Sequence, residues 1–185
     1  MEIGATKAVQ DRLKTTKIEE SKGASLVFCW DTHLTKIKGR NVLFIVNASN
    51  RYTIAMTDIE PRNWNYYAMY IIRVIHGMMQ EMGYSEEQIE QYFKMSGDTT
   101  ITKTHGRKSV GGINRMVMDA QYFGKKLEKE AKYQWELSEY LNRDICQPEG
   151  FDAYGYPNEL FKLDMERLGI ATKRKPAKVI DFAQY

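Results

Sequence analysis

The amino-acid sequence predicts an α+β fold: helices packed on an antiparallel sheet of about four strands, a three-strand meander plus one. Residues 25–59 hold three runs rich in β-branched and aromatic residues, which are typical of strands. After residue 60, apolar residues recur every three or four positions instead, which is the period of an amphipathic helix. Strands followed by helices favour α+β over an alternating α/β arrangement.

The first predicted element is a short helix over residues 7–14. Thr6 precedes it as the N-cap, and Val9 and Leu13 share one face at a spacing of four.

The three strand-like runs follow the turn SKG and read SLVFCWDTHLTKI, NVLFIVNAS and YTIAMTDI. KGRN and NASNR separate them, and both stretches are rich in turn-forming residues. Because such short connections join antiparallel neighbours, the runs predict a meander. The middle run contains VLFIV, apolar at consecutive positions, as expected for a strand covered on both faces.

Two helices are predicted next. Pro61 suits a helix start, and Gly83 ends the apolar segment that follows it. Ser85 begins SEEQIEQYFK and has Gln88 three positions later, which is the pattern of a capping box.

The remaining segments complete the predicted architecture. DTTITKT alternates and is predicted to add a fourth strand to the meander. A long helix, with Ser109 as N-cap, carries one continuous apolar stripe from Ile113 to Trp135, and NELFKLDMERLG forms the last helix. The residues expected to meet in a single core between sheet and helices are Cys29, Phe44, Ile72, Ile75, Met116, Val117 and Phe123.

Length and composition indicate one folded domain over residues 1–170, followed by a basic and flexible tail over residues 171–185. The opening MEIGATKAVQDRLK lacks an apolar signal segment, and no apolar run is long enough to span a membrane. Cys29 and Cys146 fit neither a disulfide framework nor a zinc-ligand spacing. We therefore expect a cytoplasmic protein without membrane contact, cofactor or metal.

The formal net charge of +3 is unevenly distributed. Residues 101–115 and 171–178 each carry four basic side chains and no acidic one, so the rest of the chain is mildly acidic. Such a split predicts an acidic partner, RNA or DNA phosphates being the commonest, although a solvated surface and tail would have the same composition. The predicted binding residues are Lys103, His105, Arg107, Lys108, Arg115, Lys173, Arg174 and Lys175.

THGRKSVGGINR, residues 104–115, is the segment with the densest functional chemistry. Free amides at a helix start, beside Arg107 and Lys108, would suit an anion. The alternative is structural, in which Gly111 and Gly112 let the helix pack closely on the sheet. The segment matches neither a P-loop nor a dinucleotide fingerprint.

Catalysis has few candidates in this sequence. His33, His105 and Lys103 are residue types that a metal-independent ribonuclease uses as acid, base and cation, but no spacing places them together. His76 lies among apolar residues and reads as a core histidine. Asp31, Asp58 and Asp119 do not have the spacing of metal ligands.

WDTHLTKIKGRNVLFIVNASNRYTIAM resembles the signature of DUF6933, an uncharacterised bacterial and phage-borne family of unknown function. The matching positions are Trp30, Leu34, Ile37, Arg40, Val42, Leu43, Phe44 and Asn47. The opening Thr6-Lys7 and the stretch RKSVGGINR, through Ser109, Gly112 and Asn114, also match, so the resemblance covers about residues 5–123. Departures from the family pattern are Thr32-His33 in place of Ala-Asn and Arg115 in place of an acid. The resemblance implies a shared fold and no particular reaction.

The expected function is that of a non-enzymatic binding protein. A phage or mobile-element inhibitor of a CRISPR–Cas9-like effector, an anti-CRISPR that contacts protein and guide RNA, is the version that the charge distribution favours by analogy. A ribonuclease-like enzyme and a toxin–antitoxin interaction module are the alternatives. The partner would be a host protein or ribonucleoprotein.

Overall fold

The computed structural model describes residues 1–14 and 18–172, and within them one sheet organises the fold. Its strands are β1 Glu2–Ala5, β2 Cys29–Ile37, β3 Arg40–Asn47, β4 Thr53–Thr57 and β5 Thr100–Thr102. They lie in the order β4-β3-β2-β1-β5. The predicted meander β2-β3-β4 is present, but β1 runs parallel to both β2 and β5. The prediction of a four-stranded antiparallel sheet is therefore wrong, because the sheet is mixed and has five strands.

The error lies in β1, which has only four residues, too few for alternation to reveal a strand. The fourth predicted strand, β5, pairs with β1 instead of extending the meander. Parallel neighbours need a crossover connection, and the helix that follows β1 provides part of it before the chain returns as β2.

The turn between β2 and β3 has the geometry that its sequence predicts. Ile37 pairs with Arg40, so Lys38 and Gly39 form a two-residue loop. Both have positive φ, 48° and 82°, as a type I′ turn requires.

The described residues form seven α-helices. Their bounds are α1 Lys7–Leu13, α2 Pro61–Asn65, α3 Tyr67–Glu81, α4 Glu86–Ser96, α5 Gly106–Gln121, α6 Trp135–Asn142 and α7 Pro157–Arg167. Three predicted starts are confirmed: Thr6 is the N-cap of α1, Pro61 opens α2, and Ser85 and Gln88 form the capping box of α4. None of the helices described is long and apolar enough to cross a membrane.

The long predicted helix is two helices. α5 ends at Gln121 and α6 begins at Trp135, although the apolar stripe continues through the residues between them. The buried side chain of Gln134 holds this connection: its amide donates to Thr57 Oγ1 at 3.0 Å and to the Glu128 carbonyl at 2.9 Å. Ser109 is not the N-cap, because α5 begins at Gly106 and Ser109 lies inside it.

Helices cover both faces of the sheet, so the described residues form two main cores where one was predicted. Ile75 of α3 packs with Leu43 and Ile45 on one face, together with residues of α4 and α7. On the other face, Phe44 packs with residues of α5 and α6. The predicted burial of both faces of β3 is confirmed, since its successive side chains enter opposite cores. The predicted common core is wrong, because Ile75 and Phe44 lie on opposite sides of the sheet.

The predicted tail, including Lys173, Arg174 and Lys175, lies almost entirely outside the described residues. The last described segment packs against the core on the side of α4. Ile170 is buried, and its carbonyl accepts a hydrogen bond from Gln88 at 2.9 Å.

Candidate functional site

A buried cluster of ionisable side chains lies under the first turn of α5. It is centred on His105, whose side chain is 3% exposed. Nδ1 of His105 lies 2.7 Å from Asp31 Oδ1, and Nε2 lies 3.0 Å from Glu2 Oε2. The two carboxylates come from β2 and β1, which are neighbours in the sheet, and His105 follows β5.

Strand register explains why these residues meet. In the parallel pair β1-β2, Glu2 lies opposite Cys29, and Gly4 lies opposite Asp31. Side chains two positions apart share a face, so all four positions face α5. Gly4 makes room for the carboxylate, since a Cβ atom there would lie 1.8 Å from Asp31 Oδ1.

Further hydrogen bonds fix both carboxylates. Asp31 accepts the hydroxyl of Ser109 and, at 3.2 Å, the backbone N–H of His105. Glu2 accepts the hydroxyl of Ser21 at 2.6 Å and the backbone N–H of Lys22 at 2.8 Å. The cluster therefore joins β1, β2, the N-terminal end of α5 and the segment that precedes β2.

The pKa values of the cluster follow from these contacts. Burial lowers the pKa of His105, but hydrogen bonds to Asp31 and Cys29, together with their charges, outweigh it and raise the pKa to about 10. Burial raises the pKa of Glu2, but the bonds from Ser21, Lys22 and His105 reverse that effect and leave it below its usual value. The ring is therefore protonated near neutral pH and bridges two carboxylates.

A second feature, which we call the cationic groove, lies on the outer side of the same helix. It encloses about 240 Å³ between α5 and residues 147–149. Arg51, Lys108 and Arg115 line it together with Glu149. Arg107, one position before Lys108, is also exposed.

Comparison with known proteins places the chain in a family. The model of a domain of unknown function, DUF6933, matches residues 2–160. The chain belongs to the DUF6933 family. No curated protein and no solved structure matches it.

The family match extends the predicted resemblance, which covered about residues 5–123, at both ends. The matched region of this DUF6933 domain contains both the buried cluster and the cationic groove. Signature residues support the fold: Trp30 is fully buried and donates to the Tyr92 hydroxyl at 2.9 Å, and Asn47 accepts two backbone N–H groups of the loop that follows β3.

The three residues considered for a ribonuclease have separate partners in the DUF6933 domain. His33 lies 3.2 Å from Thr6 Oγ1, and burial lowers its pKa. Lys103 forms an exposed ion pair with Glu20. His105, which was also among the predicted binding residues, is buried between the carboxylates of Glu2 and Asp31.

The sequence indicated His76 as a core histidine, but its side chain is partly exposed to solvent. Its ring stacks on Phe93, and Nε2 lies 3.1 Å from Glu86 Oε2, with the side chain 36% exposed.

Sequence reasoning missed Glu2 and Arg51. Glu2 is the first residue of a strand too short to recognise, and Arg51 lies in a loop far from α5 along the chain. One signal for Arg51 was present in the sequence, where it follows the turn-forming residues NASN. In the structure Arg51 has a positive φ of 62°, and its guanidinium donates to the Gly112 carbonyl at 2.9 Å.

Proposed function

We propose that this DUF6933 domain is a non-enzymatic binding protein whose cationic groove contacts the phosphates of RNA in a ribonucleoprotein partner. The observation that carries the proposal is the convergence of Arg51, Lys108 and Arg115 on one groove, with Arg107 exposed at the position before Lys108.

Two of the three cations that line the groove, Arg51 and Lys108, have hydrogen bonds that leave their positive charge uncompensated. Arg51 donates to the Gly112 carbonyl, and Lys108 donates to the Pro148 carbonyl at 3.2 Å. These acceptors are neutral, so they orient the cations without cancelling their charge. Arg115 forms an ion pair with Asp119, and Glu149 adds one acidic side chain to the lining. Oriented cations that keep their charge suit phosphate oxygens.

The buried cluster supports binding over catalysis of the ribonuclease type. A general acid or base must reach the substrate proton directly or through one water. Both ring nitrogens of His105 face carboxylates inside the fold, and His33 and Lys103 contact other residues.

The narrower proposal concerns the partner. We propose a guide-RNA effector of host defence, with the protein acting as a phage or mobile-element inhibitor. The support for it is the basic segment of residues 101–115 on an otherwise mildly acidic chain, which suits contact with both RNA and basic protein surfaces. Plasmid interference by a Cas9-type effector, measured with and without this protein, tests it. Undiminished interference would contradict this part and leave the groove proposal standing.

The groove itself is tested by fluorescence anisotropy with a labelled single-stranded RNA. We expect Arg107→Glu with Lys108→Glu to abolish binding while the unfolding temperature stays unchanged, because both side chains are exposed. The matched control is Lys7→Glu with Lys94→Glu, which makes the same change in net charge at exposed positions on α1 and α4.

The control variant should keep most of the affinity of the wild-type protein. Equal losses in both double variants would show that only net charge matters, and retained binding in the Arg107/Lys108 variant would remove the groove from the function. Binding of polyglutamate with the same variant sensitivity, in place of RNA, would identify an acidic protein partner and contradict the RNA proposal.

A further inference from the structure

The buried cluster also brings together three side chains of the types that bind metal ions in proteins: a carboxylate, a thiol and an imidazole. A carboxylate oxygen of Glu2, the Sγ atom of Cys29 and a ring nitrogen of His105 all lie within 4.8 Å of one another, and all three residues are buried. Tetrahedral zinc sites have metal–ligand distances of about 2.0–2.3 Å, so small shifts of these side chains would bring their ligand atoms onto one cation.

The ligand types narrow the class of cation. Thiolate sulfur and imidazole nitrogen favour Zn²⁺ and related transition metals, whereas Mg²⁺ and Ca²⁺ prefer oxygen ligands alone. Three protein ligands are also the number found in zinc sites that keep a fourth position for water or another molecule.

Asp31 supplies the partner that a metal-bound histidine usually has. It accepts from Nδ1 of His105 at 2.7 Å, and this bond directs Nε2 towards Glu2. A carboxylate on the far nitrogen fixes the ring orientation and makes the near nitrogen a better ligand. Ser109 holds Asp31 in turn, so the arrangement is rigid on the side of α5.

The charge of the cluster favours a cation as well. The carboxylates of Asp31 and Glu2 lie on either side of the His105 ring, at 2.7 and 3.0 Å from its two nitrogens. A divalent cation would compensate the negative charge of these carboxylates, and thiolate and imidazole ligands bind metals in their deprotonated forms.

We propose that Glu2, Cys29 and His105 bind one zinc-class divalent cation, with Asp31 as the positioning residue for the His105 ring. None of the three ligands lines the cationic groove, and the sequence conceals the site because its members are far apart along the chain. His105 is 74 positions from Asp31 and 103 from Glu2.

Titration of metal-stripped protein with Co²⁺ tests the proposal. Cobalt–thiolate bonds have a charge-transfer absorption, so the expected result is a spectrum that saturates at one Co²⁺ per chain and disappears when Zn²⁺ is added. Zn²⁺, but not Mg²⁺, should raise the unfolding temperature, since a ligand of the native state stabilises it.

Variants assign the ligands. Cys29→Ser and His105→Gln should remove the thiolate absorption and the Zn²⁺-dependent stabilisation. Cys146→Ser changes the other buried cysteine, which lies outside the cluster, and should keep both. Asp31→Asn should keep the absorption but weaken Co²⁺ binding about 10–100-fold, the loss typical of an outer-shell carboxylate.

The wild-type protein alone keeps the proposal falsifiable if a variant does not fold. A wild-type titration without thiolate absorption would overturn it, as would absorption that Cys146→Ser removes and Cys29→Ser keeps. RNA binding by the groove can fail or succeed without changing either result, so the two proposals are separable.

Discussion

Gly4 has no Cβ atom, and the Asp31 carboxylate occupies the space that this leaves. Gly4→Ala would place the new atom 1.8 Å from Asp31 Oδ1 and 3.1 Å from His105 Nδ1. Ser109 and His105 hold the carboxylate, so it cannot move away without losing its bonds. We expect Gly4→Ala to lower the free energy of unfolding by about 3 kcal/mol or more, from overpacking and from the charge left unpaired. Urea denaturation measures it.

Gly77→Ala is the control for this substitution. Gly77 lies inside α3, and no atom would lie within 4 Å of its Cβ. Alanine is the better helix residue by roughly 0.5–1 kcal/mol, so this variant should be slightly more stable than the wild type. A Gly4→Ala variant as stable as Gly77→Ala would mean that the Asp31–His105 contact does not form.

Asp164 is a second buried acid, and its titration should be visible in stability. Burial raises its pKa, although Asn50, Ser49 and Arg167 act in the opposite direction. The charge of Asp164 also acts to raise the pKa of Tyr92 in α4. Because the folded-state pKa lies above the unfolded value, the native protein binds the proton more tightly than the unfolded chain. Its contribution to stability is therefore present at low pH and is lost as pH rises through the folded pKa.

Asp164→Asn removes this titration. We expect the variant to gain stability relative to the wild type as pH rises from below about 4, the usual aspartate value, towards neutrality. Urea denaturation of both proteins over that range gives the difference at each pH, so other titrating groups cancel. A constant difference would show that Asp164 ionises as easily in the folded protein as in the unfolded one.

Residue-level patterns in the sequence were informative wherever the interaction is local. The capping box of Ser85 and Gln88 is read from residues three positions apart, and the structure confirms it. Serine is a typical N-cap residue, but the hydroxyl of Ser109 donates a hydrogen bond to Asp31, 78 positions away. Local propensity cannot reveal such a bond, because it depends on which strands the fold places side by side.

Among the elements, β3 separates the two cores, and substitutions on it should report which core they enter. Phe44 faces α5 and α6, whereas Ile45 faces the core that contains α3. Phe44→Ala should cost about 3–5 kcal/mol and Ile45→Val about 0.5–1.5 kcal/mol, since both side chains are fully buried. The double variant should lose about the sum of the two costs, because the two side chains enter separate clusters on opposite faces of the sheet.

The comparison is Phe44→Ala combined with Ile113→Val. Ile113 of α5 belongs to the same cluster as Phe44, so this pair should depart from additivity by about 0.5 kcal/mol or more. Thermal and urea unfolding measure both cycles. Additivity in the second pair and coupling in the first would contradict the arrangement of helices on two faces.

Element prediction failed where short or interrupted segments are governed by tertiary contacts. The apolar stripe from Ile113 to Trp135 is continuous in sequence, yet the chain leaves the helix after Gln121. Gln134 stabilises the non-helical path through hydrogen bonds to Thr57 and to two nearby carbonyls, which periodicity does not encode. The meander was predictable because its turns are short and specific in composition, as the Lys38-Gly39 turn illustrates.

At the scale of the whole molecule, charge is the property most clearly divided along the chain. Residues 173–185 contain four basic side chains and one acidic one, which equals the entire formal net charge of +3. The preceding residues are therefore neutral overall, although Arg51, Lys108 and Arg115 concentrate positive charge in the groove. The basic side chains of residues 173–185 should therefore add to the affinity of the groove for a polyanion.

Truncation after Thr172 separates these contributions. The unfolding temperature should be unchanged, because truncation keeps Ile170, the last buried residue that the structure describes, and its hydrogen bond from Gln88. Each phosphate contact that is lost should reduce the salt slope of RNA binding by about 0.7. We expect the truncated protein to bind RNA more weakly with a smaller slope, and the Arg107/Lys108 reversal to remove the binding that remains. Anisotropy at several salt concentrations measures both slopes. An unchanged slope would exclude the tail from the interface, and a fall in unfolding temperature would place residues 173–185 in the folded unit.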